Sequence, residues 1–187
     1  MNVENKLERN IVRLKGNKIN LCLFRKDEQA IKLYVKWLND ERINQYIGHN
    51  YRNDSYENVY NSFIHELPPY NYRFNIVTTD KELVIGICEL KYFPQARNVI
   101  LSLYIGEVEY HGKGYGTETV FLLKKFAFDE LNAYRIGLSV FSDNEKAIKC
   151  YERNDFVICG IEHRADYHNG HYCDRIHMEI FKKNIDF

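Results

Sequence analysis

The pattern of hydrophobic and polar positions divides the first third of the chain into one strand and two helices. Residues 18–24 alternate between polar and apolar side chains, which predicts a strand with one buried face. From residue 27, apolar residues recur at helical spacing, so a helix is predicted to run from there to about residue 40. A second helix is expected from residue 55 to just before residue 67.

The middle of the chain is predicted to form three strands. Residues 72–78 and 82–93 are separated by Thr79-Asp80-Lys81, which is typical of a hairpin. A turn follows, and residues 98–105 form the next predicted strand.

The last part of the chain returns to alternating helices and strands. A helix is predicted over 117–131 and a strand over 135–141. Ser142 and Glu145 match the Ser-x-x-Glu capping box, so a helix is expected to begin at Ser142 and to run to about residue 153. Two strands, 155–166 and 171–182, surround an Asn-Gly pair that favours a tight hairpin.

Composition narrows the class of protein. With 187 residues, 45% of them hydrophobic, the chain fits a single globular domain spanning 1–187. The 26 basic and 26 acidic residues cancel, which argues against nucleic-acid binding. Five cysteines without Cys-x-x-Cys spacing indicate reduced thiols in the cytoplasm and no metal site, and no apolar run is long enough to cross a membrane.

A glycine-rich loop, His111-Gly112-Lys113-Gly114-Tyr115-Gly116, lies between a predicted strand and a predicted helix. Backbone N–H groups in such a loop can close on a phosphate, and the helix N-terminus favours its negative charge. A Walker loop is excluded because Gly114 follows Lys113, where a hydroxyl should bind magnesium. A dinucleotide fingerprint is excluded because Thr117 occupies its third glycine position. The remaining alternative to a phosphate site is a glycine turn without a ligand.

Three segments of the chain resemble the GNAT N-acetyltransferases. Residues 105–118 are similar to the family's acetyl-CoA loop, Arg/Gln-x-x-Gly-x-Gly/Ala, with His111 in place of Arg or Gln. The segment 140–148 resembles V-x-x-x-N-x-x-A-I, and 151–156 resembles Y-x-x-x-G-F with Asp155 at the glycine position. The tail is similar to the branch that contains ribosomal-protein N-terminal and polyamine acetyltransferases.

The resemblance implies a GNAT-like α/β (α+β) fold. Its sheet is mixed but mostly antiparallel, with about six to seven strands flanked by about four helices, and is splayed at the acetyl-CoA site. The backbone of 104–106 would pair with the pantetheine arm, and an N–H near Ile105 or Gly106 would polarise the acetyl carbonyl. Residues 112–117 would hold the pyrophosphate. The resemblance assigns these residues to the acetyl-CoA site: Tyr104, Ile105, Gly106, His111, Gly112, Lys113, Gly114, Tyr115, Gly116, Thr117, Asn144, Ala147 and Tyr151.

Three residues are candidates for the chemistry of acetyl transfer to an amine. The resemblance implies that Tyr151 protonates the departing thiolate, and the alternative is a core tyrosine. Asn144 would bond the pantetheine or a water. Glu89 is the candidate base or amine-binding group, because a carboxylate in an apolar strand is costly to bury unless it is paired or used, and the alternative is an outward-facing charge at the sheet edge. The histidines of the last hairpin are interpreted as surface or substrate-rim residues.

The expected activity is therefore an acetyl-CoA-dependent N-acetyltransferase. Its acceptor would be a primary amine on a protein N-terminus, a polyamine or a small molecule, and the protein would be a monomer or homodimer. The competing hypothesis is a non-catalytic acyl-CoA sensor, which would keep the loop without needing an acid.

Overall fold

The computed structural model describes residues 10–47, 54–64, 68–168 and 170–183. The described strands form one sheet of eight strands in the order β1-β2-β3-β4-β5-β6-β8-β7. The strands are β1 Val12–Lys15, β2 Ile19–Leu23, β3 Asn71–Thr78, β4 Val84–Phe93, β5 Asn98–Ile105, β6 Arg135–Phe141, β7 Val157–His168 and β8 His171–Phe181. The α-helices are α1 Glu28–Leu38, α2 Glu41–Asn44, α3 Tyr56–Ile64, α4 Tyr115–Lys125 and α5 Glu145–Glu152.

The predicted order of elements is confirmed, with one additional strand and one additional helix. Both additions, β1 and α2, are only four residues long. Such short segments carry too few positions for a periodic pattern to show, so the strand number was underestimated. Asn169, in the turn of the last hairpin, and residues 65–67, at the predicted end of α3, lie outside the described residues.

The helix after the glycine loop begins earlier than expected. It starts at Tyr115 instead of residue 117, because Gly114 takes a left-handed conformation with φ of 88° and redirects the chain into the helix. After Lys125 the chain widens into one π-helical segment, Phe126–Glu130. Tyr115 and Gly116 are therefore part of α4, and the loop proper is shorter than the motif.

The predicted capping box at Ser142 is wrong. The N-cap of α5 is Asn144, whose side-chain oxygen accepts from the Ala147 N–H. The Ser142 hydroxyl instead accepts from the Asp174 N–H at 3.2 Å, and the Ser142 N–H donates to the Asp174 carbonyl at 2.9 Å. Pairing with β8 thus occupies Ser142, and the helix begins two residues later.

The sheet opens between β5 and β6. These strands run parallel and pair only from Asn98 to Ile100 on β5 and from Arg135 to Gly137 on β6. Every other neighbouring pair is antiparallel, and β4 stays paired with β5 up to Ile105. Beyond Ile100, the two central strands therefore separate and leave a wedge-shaped opening, as the predicted splay requires.

Helices cover the two faces of the sheet differently. The larger core packs α4 and α5 against one face and includes Leu123 and Tyr151. On the opposite face, α1 and α3 form a smaller core around Tyr34 and Trp37. Within the described ranges, no helix is both long and apolar enough to cross a bilayer.

Candidate active site

One edge of the opening is formed by the end of β5. The Gly106 N–H donates to the Ile85 carbonyl at 2.8 Å, so it is committed to β4. Because successive residues of a strand direct their N–H and C=O groups to opposite sides, those of Ile105 face away from β4 and into the opening. Of the two donors considered from the sequence, the geometry favours the Ile105 N–H.

His111 connects the loop to this strand end. Its Nε2 lies 2.8 Å from the Ile105 carbonyl oxygen and, in the tautomer with a proton on that nitrogen, donates to it. The residue that departs from the family pattern thus holds the loop against β5. It leaves the Ile105 N–H as the polar group available at this position.

Two glycines of the loop have left-handed backbone conformations. Gly112 and Gly114 have φ values of 71° and 88°, which residues other than glycine rarely adopt. A Cβ at Gly112 would meet nothing within 4 Å, so this position is open to a ligand. Thr117, in the first turn of α4, lies with its hydroxyl 3.6 Å from the Cys150 thiol.

A lysine from the first hairpin joins the loop. The Lys18 ammonium donates to the Lys113 carbonyl at 3.0 Å and lies 5.9 Å from the centre of the Tyr115 ring. It is held there because Glu118 of α4 accepts from the Lys18 N–H at 3.1 Å. Lys113 itself is exposed. The structure therefore adds a cation, Lys18, that lies 95 residues away from the loop in sequence.

Tyr151 lies on the α4–α5 side of the opening. It is 8% exposed, and burial raises the pKa of its phenol above the ordinary value of 10.0. The hydroxyl makes no hydrogen bond to a described residue, and its oxygen is not fully enclosed by the protein. A raised pKa keeps the proton on Tyr151 at neutral pH. The same apolar surroundings would also raise the pKa of a thiol leaving beside it.

Polar contacts hold α5 against the start of α4. The Asn154 side chain donates to the Thr117 carbonyl at 3.1 Å and to the Cys150 carbonyl at 3.1 Å. Asn144 uses its side-chain oxygen to cap the same helix at Ala147. These contacts bring Tyr151, Asn144 and the glycine loop to one side of the sheet.

Glu89 faces the opposite side of the sheet and is already paired. Arg73, its cross-strand neighbour on β3, donates from Nε to the Glu89 carboxylate at 2.7 Å. The Arg73 guanidinium also lies 5.2 Å and 4.9 Å from the centres of the Phe24 and Phe63 rings. The ion pair neutralises Glu89, so this carboxylate is a weaker candidate for a free base than the sequence suggested.

Trp37 and Tyr104 belong to the smaller core. Trp37 is fully buried, its ring meets Tyr104 edge-on at 6.1 Å, and its Nε1 donates to the Glu107 carboxylate at 2.9 Å. Tyr104 has an enclosed hydroxyl without a partner among the described residues, and burial raises its pKa. These aromatic rings form a rigid wall beside the end of β5.

Sequence reasoning missed Lys18, Arg73 and Glu107. Lys18 lies in an unremarkable polar turn, and its position requires the packing of the first hairpin on α4. Arg73 carries a charge inside a mainly apolar strand, the same signal that pointed to Glu89. The strand register would have paired the two, but a single sequence does not define that register.

Residues 19–157 match the family described as an acetyltransferase (GNAT) domain, which covers most of the chain. The chain belongs to the GNAT acetyltransferases. Over 74 residues it is 38% identical to the spermidine N(1)-acetyltransferase of Escherichia coli K12, a stretch that covers 40% of each protein. It is 28% identical over 132 residues to the acetyltransferase PseH of Campylobacter jejuni, covering 71% of this chain and 80% of PseH.

The fold is also found among solved structures. The spermidine N-acetyltransferase of Vibrio cholerae, solved with CoA and spermine, superposes with a TM-score of 0.77 at 24% identity. The superposition covers 89% of this chain and 96% of that one. This GNAT fold confirms the predicted α+β architecture.

Proposed function

We propose that this GNAT protein is an acetyl-CoA-dependent N-acetyltransferase that moves an acetyl group to a primary amine by direct attack on the thioester. The observation that supports it most is the opening between β5 and β6, with the glycine loop and Tyr151 at its margin. Beyond Ile100, β5 has no partner on that side among the described strands, and the loop offers an open cradle at Gly112. These features fit the pantetheine arm and the pyrophosphate of acetyl-CoA.

The protein's own residues divide the work. The Ile105 N–H is placed to polarise a carbonyl oxygen in the opening, which is the kind of stabilisation that lowers the barrier to acyl transfer. Tyr151 keeps its proton at neutral pH and donates it to the departing sulfur. Loop N–H groups and Lys18 hold phosphate charge at the far end.

The acceptor is assigned only as a primary amine. Spermidine is a natural first candidate because relatives are named as spermidine acetyltransferases. A protein α-amine and a small amine stay candidates because Arg73 neutralises Glu89, the carboxylate that would otherwise favour a polycation. An α-amine, with a pKa of about 8, also needs less help to lose its proton than a polyamine amine near 10.

Release of free CoA thiol from acetyl-CoA across an amine panel tests this function. The panel contains spermidine, spermine, a dipeptide with a free α-amine and an amino sugar. Tyr151→Phe is expected to lower kcat about 100-fold, the usual contribution of a general acid. Tyr172→Phe is the matched control, because Tyr172 is 66% exposed on β8.

The competing function predicts a different result. A non-catalytic acyl-CoA sensor would bind acetyl-CoA, measured by calorimetry, and release no thiol with any amine. Normal turnover by Tyr151→Phe would instead support an enzymatic function and show that Tyr151 is not the general acid.

A further inference from the structure

Three side chains on neighbouring strands form a hydrogen-bonded chain at the other margin of the opening. The Ser139 hydroxyl on β6 lies 2.9 Å from His177 Nδ1 on β8, and His177 Nε2 lies 2.8 Å from the Glu162 carboxylate on β7. Ser139 and His177 are direct cross-strand partners, so the sheet register fixes the first contact. The arrangement is a hydroxyl, an imidazole and a carboxylate in series.

Strand register places this chain beside the opening. Gly137, the last β6 residue paired with β5, lies opposite Ile100. Ser139 and Ser102 are each two residues further on, so both side chains lie on the same sheet face where the strands begin to separate. Ser102 is the cross-strand partner of Glu89, which puts Ser139 on the Glu89 face.

Tyr151 lies on the opposite face. It packs in the larger core with Leu138 and Val140, whose side chains alternate with that of Ser139 along β6. The opening thus has an acid on one face and a hydroxyl–imidazole–carboxylate chain on the other. An amine that approaches from the Ser139 face meets a thioester whose sulfur departs towards Tyr151.

Glu89 is already paired on that face. Its carboxylate is bound by Arg73 at 2.7 Å, and the half-buried guanidinium needs it as a counter-charge. His177 has no such cation on its own nitrogens. Its Nδ1 meets a hydroxyl and its Nε2 meets a carboxylate.

We propose that Ser139 and His177 remove the proton from the acceptor amine, with Glu162 as the positioning residue that orients the imidazole. This inference rests on the proposed acetyltransferase function. His177 with its proton on Nε2 donates to Glu162 and accepts from the Ser139 hydroxyl through Nδ1. The Ser139 oxygen is then free to accept a hydrogen bond from the amine.

The proton balance closes over one turnover. The amine nitrogen forms a bond to the acetyl carbon, and the carbon–sulfur bond breaks. The nitrogen loses one proton to Ser139 as the Ser139 proton passes to His177 Nδ1, and Glu162 stabilises the resulting imidazolium. Tyr151 gives its proton to the thiolate, and exchange with water returns His177 and Tyr151 to their starting states.

Other charged groups surround His177. Those on the same side of β8, with their partners on β6 and β7, are already joined in two ion pairs, Arg175–Asp166 and Arg135–Glu179. Their charges cancel within each pair. Glu162 is the carboxylate that contacts His177 directly.

The test compares variants in the pH dependence of kcat. Both substrates are saturating, and the amine is the best one of the panel. General-base catalysis contributes about 100-fold or more, so His177→Gln is expected to lower kcat about 100-fold at pH 7.5. If the imidazole takes up the proton, wild type is expected to lose kcat on acidification through the range in which histidine side chains ordinarily titrate, about pH 8 to 5, and His177→Gln is expected to lack that dependence.

Matched variants separate chemistry from structure. His163→Gln, on the same hairpin with an exposed side chain bound to Asp174, is expected to match wild type. Ser139→Ala is expected to lower kcat at least about 10-fold. Glu162→Gln is expected to lower kcat by less than His177→Gln does. All should keep their midpoint of thermal unfolding to within a few degrees.

The outcomes are distinct. If wild type releases no thiol with any amine, the proposed function fails and this inference falls with it. If wild type is active and His177→Gln keeps its kcat and pH profile, only the base assignment is wrong. If His177→Gln does not fold, the test rests on Ser139→Ala. A wild-type kcat in Ser139→Ala would then overturn the proposal.

Discussion

Gly106 directly follows β5 and packs against the ring of Trp37, and a single methyl group there tests how tightly this part of the site is packed. A Cβ built on Gly106 would lie closer than 3.0 Å to three ring atoms of Trp37. Trp37 has no exposed surface, and Glu107 holds its Nε1 at 2.9 Å, so the ring has little room to move. Overpacking usually costs about 1–3 kcal/mol, and we expect Gly106→Ala to fall near the upper end.

Two other glycines calibrate the result. In Gly116→Ala the new methyl meets the Cys150 thiol at an ordinary 3.7 Å, and the position is helical. That variant should gain about 0.5–1 kcal/mol, because alanine loses less backbone entropy in a helix. Gly112→Ala has open space but a φ of 71°, so it should lose about 1–2 kcal/mol.

Thermal unfolding without ligand measures the series. For a chain of this length, 1 kcal/mol corresponds to about 2–4 °C, so Gly106→Ala should lower the midpoint by about 6–12 °C. The midpoints should rank Gly116→Ala highest, Gly112→Ala next and Gly106→Ala lowest. A Trp37→Ala background should reduce the penalty of Gly106→Ala. If the penalty is the same in both backgrounds, contact with Trp37 is not its cause.

Three further residues give predictions of their own. Asp155 has a φ of 68°, and both Asp155→Gly and Asp155→Ala lose its ion pair with Lys124, so Asp155→Gly should be about 1 kcal/mol more stable than Asp155→Ala, and equal stabilities would refute strain there. Lys18→Ala should raise KM for acetyl-CoA about fivefold with kcat unchanged, and an unchanged KM would remove it from the phosphate site. Hydrogen bonding from Arg42 lowers the pKa of Asp40, so Asp40 stabilises the fold above its unfolded pKa and loses that effect as pH falls through the folded value. Asp40→Ala should therefore cost about 1 kcal/mol in urea unfolding at pH 7 and progressively less as the pH falls below the ordinary carboxyl value of 3.8, and a constant cost would contradict the pKa shift.

Local patterns predicted most of the fold because they depend on near neighbours. The stripe of α1 and the alternation of β5 depend on residues a few positions apart, and both elements lie where their periods indicate. The capping box failed for the same reason. Ser142 has the right local sequence, but its hydroxyl accepts from the N–H of Asp174, 32 residues away, and does not cap the helix.

The glycine loop and Tyr151 were visible because each is part of a motif with defined spacing. The partners of the remaining polar groups could not be predicted from the sequence. From the sequence alone, Glu89 has no identifiable partner. The β3–β4 register places Arg73 beside it. From the sequence alone, His177 was interpreted as a surface or substrate-rim residue. In the structure, β6 and β7 bring a hydroxyl and a carboxylate to its two nitrogens.

By itself, the sequence determined the order of elements and the glycine loop, because helix and strand periods and the glycine conformation are local properties of the chain. The candidate acid came from the resemblance of residues 151–156 to a GNAT motif. Only the tertiary structure decided which N–H is free at the end of β5, which carboxylate is neutralised and which cation reaches the loop. Those outcomes depend on strand register and on packing between residues as many as 95 positions apart. Hydrogen bonds and ion pairs act over a few ångströms in space, and no local pattern specifies which distant groups come that close.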